Sequence, residues 1–214
     1  QRNINWNLRT MQWNNLFNYG EDNSIDFDKL NGIVGIFGKN FSGKSSVIDS
    51  MLYTIFNSTS KNERKNLNII NQNKEEADGI VTIDVGHKRY TIERKSEKYI
   101  KKLKGEETLE AKTDILFKVK DMVTDEETIL NGTTRNETDA IIRNHFGNVD
   151  DFLMTSMSSQ IDSLRFINEG STKRKEALAK FLDLEFFEKK YKLIKDEAAD
   201  LRGALRKAED IDYD

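Results

Sequence analysis

The fold of this chain is decided by the stretch Gly38-Lys39-Asn40-Phe41-Ser42-Gly43-Lys44-Ser45, which fits the phosphate-binding pattern GxxxxGK(S/T). The apolar run before it, residues 32–37, has the length of a strand, and we expect a strand there. After it, the apolar residues of segment 47–56 draw a single stripe on a helix. Strand, tight turn and helix in this order are the context in which the pattern binds phosphate. That context argues against a chance match in an ordinary Gly/Ser turn.

The residue types of the loop indicate how it would hold phosphates. Gly38 and Gly43 permit backbone conformations that a Cβ forbids, and the N–H groups of such a turn form a nest for an anion. The N-terminus of the following helix adds partial positive charge. Lys44 would bring a full positive charge to the outer phosphates, and the hydroxyl of Ser45 would lie beside a phosphate-bound Mg²⁺.

Composition narrows the class of protein. The 214 residues have room for one large domain or two small ones, and a net charge of −3 gives no general attraction to nucleic acid or membrane. The chain has no cysteine and two histidines, which argues against disulfides and against Cys- or His-ligated metals. No apolar run approaches the ~20 residues of a membrane span. The chain has no proline and many Asn and Lys residues, which indicates a low-GC coding sequence such as that of a phage or a low-GC bacterium. We therefore expect a protein of the cytoplasm of a bacterial or phage-infected cell, without membrane contact.

Alternating apolar and polar residues predict strands on both sides of the loop and its helix. Two antiparallel strands are expected before the loop, around residues 4–10 and 25–27. A hairpin is expected over residues 80–94, with further strands at 99–103 and 115–123. Two antiparallel strands before the loop are unlike the plain βαβ start of a small GTPase or nucleotide kinase.

The C-terminal part of the chain has a helical pattern. Residues 138–146 and 149–157 predict helices, and one long helix is expected from Ser171 onward. Within it a heptad seam is formed by Phe187, Tyr191, Ile194, Ala198, Leu201, Leu205 and Ala208. Such a seam needs a partner helix, although the alternative is a helix that packs on its own domain. We therefore expect one domain over residues 1–184 and the base of a coiled-coil helix over 185–214.

The order of these pieces resembles the N-terminal half of the SbcC-type, SMC-like DNA-repair ATPases, a group that includes the Rad-fifty proteins and the ATPases of phage recombination endonucleases. Four stretches carry the resemblance: residues 13–27, the loop and helix at 38–56, residues 152–160, and residues 174–187. The fold class implied is α/β, a P-loop ATP-binding-cassette head (lobe I) with an antiparallel β subdomain and the start of a coiled coil.

The resemblance also implies a set of site residues. Gln160 would reach the Mg²⁺ and the attacking water, so that Lys44 and Gln160 are catalytic and Ser45 and Gln160 are metal ligands. ATP would be held by Gly38, Lys39, Asn40, Ser42, Gly43, Lys44, Ser45 and Ser46. The chain departs from the family at Phe41, where most members have glycine, and at Phe17, where many have an arginine near the nucleotide.

The function implied is that of the ATPase component of a DNA break-processing complex. ATP would clamp two copies of the head together, and hydrolysis would reopen them and gate an SbcD-type metallophosphoesterase nuclease acting on double-stranded DNA. The family's signature motif, Walker B pair and switch His belong to a C-terminal half. Residues 193–197 resemble a Walker B motif but lie in the heptad helix, and we reject them. We therefore expect this chain alone to bind ATP·Mg²⁺ weakly and to hydrolyse it barely.

Two other functions compete with this one. An SMC- or RecN-like head would tether DNA without a nuclease, and co-purification of a metal-dependent nuclease would distinguish it. A P-loop kinase or GTPase would carry its own Walker B or NKxD-type element after the loop, and neither is found in the sequence.

Two basic stretches are candidates for DNA contact. The first runs over residues 88–104, and the second is Lys173-Arg174-Lys175. Such patches give salt-dependent affinity for DNA phosphates. For the first stretch we favour a solvated face whose charge is balanced by Glu93, Glu97, Glu106 and Glu107.

Overall fold

A computed structural model describes residues 6–39, 43–59, 66–103, 106–149, 152, 170–181 and 184–209. The packing of the backbone divides the chain into two units, Gln1–Ser163 and Leu164–Asp214. The domain boundary expected after residue 184 stays a prediction.

The first unit is built on a six-stranded antiparallel sheet in the order β2-β1-β3-β4-β5-β6. Its strands are β1 (Asn7–Asn14), β2 (Asn23–Asp26), β3 (Glu76–Val85), β4 (Lys88–Leu103), β5 (Glu106–Asp121) and β6 (Glu127–Ile129). The two antiparallel strands before the loop and the hairpin after the first helix are confirmed. The separate strand candidates at 99–103 and 115–123 are parts of β4 and β5, which pair along sixteen residues each.

The core of the first unit lies on one face of this sheet. Alternate residues along each strand point to that face. The buried apolar residues of this face include Met11, Trp13, Val81, Ile83, Ile92 and Phe117. Helices α1 (Lys44–Phe56) and α2 (Arg135–Phe146) pack against the sheet. A Cβ on Gly79 would lie 2.0 Å from the Thr54 hydroxyl, so a side chain there would force α1 away from β3. The helices predicted over 47–56 and 138–146 are confirmed.

A buried arginine joins the sheet to both helices. Arg94 of β4 is fully buried, and its Nε donates to the carbonyl of Thr54 at 3.0 Å, in the last turn of α1. Its Nη2 donates to the carboxylate of Asp139 on α2 at 2.6 Å. Burial lowers the pKa of the Arg94 guanidinium, and the charge of Asp139 opposes that shift. Because carbonyls in the last turn have no partner within their own helix, Arg94 also caps α1.

The segment before the phosphate loop is not a strand, so that prediction is wrong. Residues 34–39 have no regular structure, and the side chains of Ile33 and Phe37 are 104 % and 92 % exposed. A strand needs a neighbour that takes its backbone N–H and C=O groups. Within the part of the chain that the structure describes, the sheet offers this segment no such neighbour.

In the described part of the second unit, residues 170–181 and 184–209, two helices are found where one was expected. They are α3 (Ser171–Phe181) and α4 (Glu185–Glu209). The N–H of Leu184 donates to the carbonyl of Ala179 at 2.7 Å, five residues back, which is the type of bond that closes a helix end. The seam side chains of α4 are mostly exposed, including Phe187, Tyr191, Ile194, Leu201 and Leu205. Their partner helix stays a prediction. Among the described residues, no helix has the length and apolarity to cross a membrane.

Removal of the Asp139 carboxylate should strongly destabilise the first unit. Asp139→Ala leaves the buried Arg94 cation without its counter-charge, and breaking a buried pair in this way costs about 3–5 kcal/mol of unfolding free energy. Urea denaturation measures the loss. The control is Glu110→Ala, which removes the carboxylate of the exposed Lys101–Glu110 pair and should leave the midpoint near that of the unaltered chain. Equal midpoints for the two variants would contradict the structural role of Arg94.

Candidate nucleotide-binding site

Gly43 connects the loop to helix α1 in a conformation that favours glycine. It is the N-cap of α1 and has φ 88° and ψ 10°, the left-handed region. A Cβ at this position would lie 3.0 Å from Nδ2 of Asn18 and 3.3 Å from the hydroxyl of Tyr19. The backbone angle therefore favours glycine, and a Cβ would also make the side chains of Asn18 and Tyr19 shift by a few tenths of an ångström. The helix predicted after the loop is confirmed. Residues 40–42 of the loop lie outside the described residues, so its tight turn stays a prediction.

The first turn of α1 is suited to an anion. The N–H groups of Ser46 and Val47 donate to the carbonyl of Gly43 at 3.0 and 3.3 Å. The N–H groups of Lys44 and Ser45 are the first of the helix and have no acceptor within it. The first turn of α1 contains no acidic residue, so the positive end of the helix dipole is not neutralised there by a carboxylate of its own.

Lys44 brings the two ends of the loop together. Its Nζ donates to the carbonyls of Gly38 at 2.7 Å and Lys39 at 2.6 Å. A lysine ammonium has three donors, so the third can bind a phosphate oxygen while these two contacts persist. Four of the residues expected to hold the nucleotide thus lie in one site: Gly38, Lys39, Gly43 and Lys44.

The other expected site residues divide into two groups. Ser45 and Ser46 lie in the first turn of α1, directly after Lys44. Asn40, Ser42 and Gln160 lie outside the described residues. The roles of all three in nucleotide or metal binding stay predictions.

The donor set fits a magnesium ion that arrives with phosphates. Among the residues that the structure describes, no group of three or more His, Asp or Glu side chains could hold a metal ion. Mg²⁺ commonly takes only one or two ligands from the protein and the rest from phosphates and water. A single hydroxyl such as that of Ser45, at the start of the helix, is consistent with such a site.

A contact between the β1–β2 connection and the loop was missed by the sequence reasoning. The hydroxyl of Tyr19 donates to the carbonyl of Gly43 at 2.9 Å. The connection is itself fixed to the next segment, since the N–H of Phe17 donates to the carbonyl of Ile69 at 2.7 Å. Partial burial raises the pKa of the Tyr19 hydroxyl. The one signal in the sequence was the resemblance, which places Phe17 near the nucleotide, two residues before Tyr19.

In this mixed α/β unit, the segment that ends at Gly43 leads directly into α1, the order that the phosphate-binding sequence pattern requires. A family profile described as an AAA domain matches residues 10–212, and the chain therefore belongs to the AAA domain family. The match also confirms the predicted fold class, apart from the coiled coil, which stays a prediction.

Curated relatives agree with this assignment. The chain is 33 % identical over 208 residues to uncharacterized protein R555 of Acanthamoeba polyphaga mimivirus, covering 94 % of this chain and 15 % of that protein. It is 28 % identical over 178 residues to the SbcC component of the nuclease SbcCD of Staphylococcus aureus, covering 81 % of this chain and 17 % of that protein. The predicted resemblance to SbcC-type ATPases is thereby confirmed. The chain spans only 15–17 % of the length of these relatives.

A solved structure titled as the recombination mediator protein RecF–ATP is also similar. It has a TM-score of 0.43 and 16 % identity, and the match covers 97 % of this chain and 46 % of that one.

Substitution of Gly43 should disrupt the site. Gly43→Ala places a Cβ on a residue in the left-handed region, which costs roughly 1–2 kcal/mol. If the loop relaxes away from its binding geometry to avoid this cost, the affinity for Mg·ATP should fall about tenfold. Isothermal titration calorimetry measures the affinity. The control is Gly20→Ala, because nothing lies within 4 Å of a Cβ there. If Gly43→Ala bound Mg·ATP as tightly as Gly20→Ala, Gly43 would not belong to the site.

Proposed function

We propose that this chain is the ATP-binding N-terminal lobe of an SMC-like ATPase that regulates the processing of DNA double-strand breaks by a partner nuclease. The observation that carries the proposal is the cradle formed by Gly43, Lys44 and the first turn of α1. The similarity to the SbcC component of the nuclease SbcCD supports the DNA-repair context.

Each residue of the cradle has a distinct part in this proposal. The N–H groups of Lys44 and Ser45 donate to phosphate oxygens, and the Lys44 ammonium offsets their negative charge. Mg²⁺, when bound, neutralises charge on the outer phosphates. Ser45 and Gln160 are its proposed protein ligands, and Gln160 also contacts the attacking water. The remaining nucleotide contacts are assigned to Gly38, Lys39, Asn40, Ser42 and Ser46.

These groups stabilise phosphates, and Gln160 is proposed to contact the attacking water, but none of them is a general base. Phosphoryl transfer also requires a base that activates the nucleophile. We assign that task to the C-terminal half of the same ATPase, which supplies the Walker B carboxylates in the resembling family. A second copy of the head would contribute the signature surface, so that ATP binding produces a dimer of heads.

The exposed apolar segment before the loop is the basis for a further part of the proposal, which concerns a strand that would pair with this segment. Ile33, Val34, Ile36 and Phe37 are exposed although they are apolar. A strand laid beside them would take their backbone groups and remove apolar surface from water, which is favourable by roughly 25 cal/mol per Å². We propose that the C-terminal half provides this strand.

The exposed heptad seam of α4 is the basis for the partners that we propose for the second unit. The apolar side chains of Phe187, Tyr191, Ile194, Leu201 and Leu205 suit an antiparallel partner helix. By resemblance, an SbcD-type metallophosphoesterase would bind near the base of this coiled coil, in the cytoplasm of a bacterial or phage-infected cell.

The second basic stretch, Lys173-Arg174-Lys175, is a better candidate than the first for contact with double-stranded DNA. In the first stretch the lysines Lys95, Lys101 and Lys102 form ion pairs with glutamates at 2.5, 3.0 and 2.7 Å. Arg94 of the same stretch is buried. Arg174 and Lys175 are exposed near the start of α3. We propose that they contact DNA phosphates.

The 214-residue chain should bind Mg·ATP and turn it over barely faster than an enzyme-free blank. Lys44→Met should abolish binding because the cradle loses its charge. The matched control, Lys29→Met, removes an exposed lysine of the 3-10 turn Phe27–Lys29 and should bind normally. Calorimetry and a phosphate-release assay make the measurements. Robust turnover by the isolated chain would contradict the proposed division of the active site.

Charge reversal should separate the two basic stretches. Arg174→Glu/Lys175→Glu should weaken binding to a DNA duplex and reduce the slope of log K against log salt by about 2, since each phosphate contact contributes about 0.9. The matched variant Lys101→Glu/Lys102→Glu should bind like the unaltered chain, because these lysines are paired with Glu110 and Glu107. Fluorescence anisotropy at several salt concentrations gives both slopes. The reverse result would place DNA on the β4–β5 hairpin.

A further inference from the structure

The orientation of one peptide group decides where the first N–H of helix α1 points. The carbonyl of Gly43 accepts hydrogen bonds from the N–H groups of Ser46 and Val47 and from the hydroxyl of Tyr19, the last at 2.9 Å. The peptide between Gly43 and Lys44 is planar and trans, so its C=O and N–H point in opposite directions. Any group that fixes the Gly43 carbonyl therefore fixes the Lys44 N–H.

This peptide needs fixing because its first residue is glycine. Gly43 has φ 88°, and glycine populates both signs of φ with little difference in energy. The two bonds from the helix restrain the carbonyl, but the one from Val47 is long, at 3.3 Å. The Tyr19 hydroxyl adds a restraint that comes from outside the helix.

Tyr19 is itself held firmly. Its ring packs edge-to-face on Trp13 of β1, with centroids 5.2 Å apart, and Trp13 is only 4 % exposed. Its backbone N–H donates to the carbonyl of Leu16 at 3.0 Å, and its carbonyl accepts from the side chain of Asn71 at 2.9 Å. The hydroxyl thus has a fixed position relative to the sheet. Its hydrogen bond to the carbonyl of Gly43 then restrains that end of the loop.

We propose that Tyr19 is a positioning residue of the nucleotide site, whose hydroxyl holds the Gly43–Lys44 peptide so that the Lys44 N–H faces the bound phosphates. Tyr19 does not contact the nucleotide in this scheme. It acts through the peptide, and the proposal rests on the proposed binding of nucleotide by the loop.

The direct test is Tyr19→Phe, which keeps the ring on Trp13 and removes the hydroxyl. Loss of one hydrogen bond that orients a donor should raise the dissociation constants of Mg·ATP and Mg·ADP about three- to tenfold. The matched control is Tyr99→Phe, which removes a hydroxyl bond of the same length, 2.9 Å, to Glu110 on the hairpin. Its dissociation constants should equal those of the unaltered chain in calorimetry.

A second measurement separates positioning from a general loss of stability. In protein labelled with ¹⁵N-lysine and free of nucleotide, Tyr19→Phe should shift the amide resonance of Lys44 more than that of any other lysine. Shifts spread evenly over the lysines, or an unmoved Lys44 signal, would overturn the proposal.

The same measurements distinguish a failure of the positioning role of Tyr19 from a failure of the proposed nucleotide binding. If the unaltered chain binds Mg·ATP and Tyr19→Phe stays within about twofold of Tyr99→Phe, a change below the effect of a typical hydrogen bond, the inference fails and nucleotide binding stands. If the unaltered chain binds neither Mg·ATP nor Mg·ADP, the proposed function fails first, and the positioning role fails with it.

Discussion

The guanidinium of Arg94 is the interaction on which the first unit depends. A buried cation costs several kcal/mol in desolvation, and that cost is offset only by close partners of good geometry. Arg94 finds them at the C-terminal end of α1, where the carbonyl of Thr54 carries the negative end of the helix dipole, and at the carboxylate of Asp139. The position of α1 along the sheet is therefore set by a charge in the sheet itself.

Two further contacts complete the restraint of α1. At the same end of α1, Gly79 of β3, the cross-strand partner of Arg94, lets the Thr54 side chain approach the sheet where no Cβ could be accommodated. At the other end, Tyr19 donates to the carbonyl of Gly43, the residue that starts the helix. The helix is thus held at its start and near its end by residues from separate strands or their connections. The phosphate site proposed at the N-terminus of this helix is held by the same contacts, which favours a preorganised binding site.

Sequence patterns predicted what depends on local periodicity and missed what depends on distant neighbours. Helix α1 and the hairpin followed from apolar spacing, because one face of each is buried in this unit. The strand expected over residues 32–37 is absent because a strand also needs a partner, which the spacing of its own residues cannot supply. The contact of Tyr19 with Gly43 spans 24 positions and leaves no local pattern. Arg94 lies inside a basic stretch, and its charge hid the alternation that places it on the same face as the buried Tyr90 and Ile92.

The two ends of the phosphate loop are restrained to different degrees. Its end, at Gly43, is held by the helix and by a hydroxyl anchored to the sheet. Its start, at Gly38 and Lys39, follows an exposed segment and is held by the long side chain of Lys44. Lysine loses considerable conformational entropy when its ammonium is fixed, so this restraint is weaker than a backbone ladder would be. The strand proposed for the C-terminal half would fix the start of the loop through backbone bonds. Lys44 would then be released from its two carbonyls and could direct all three donors at phosphate.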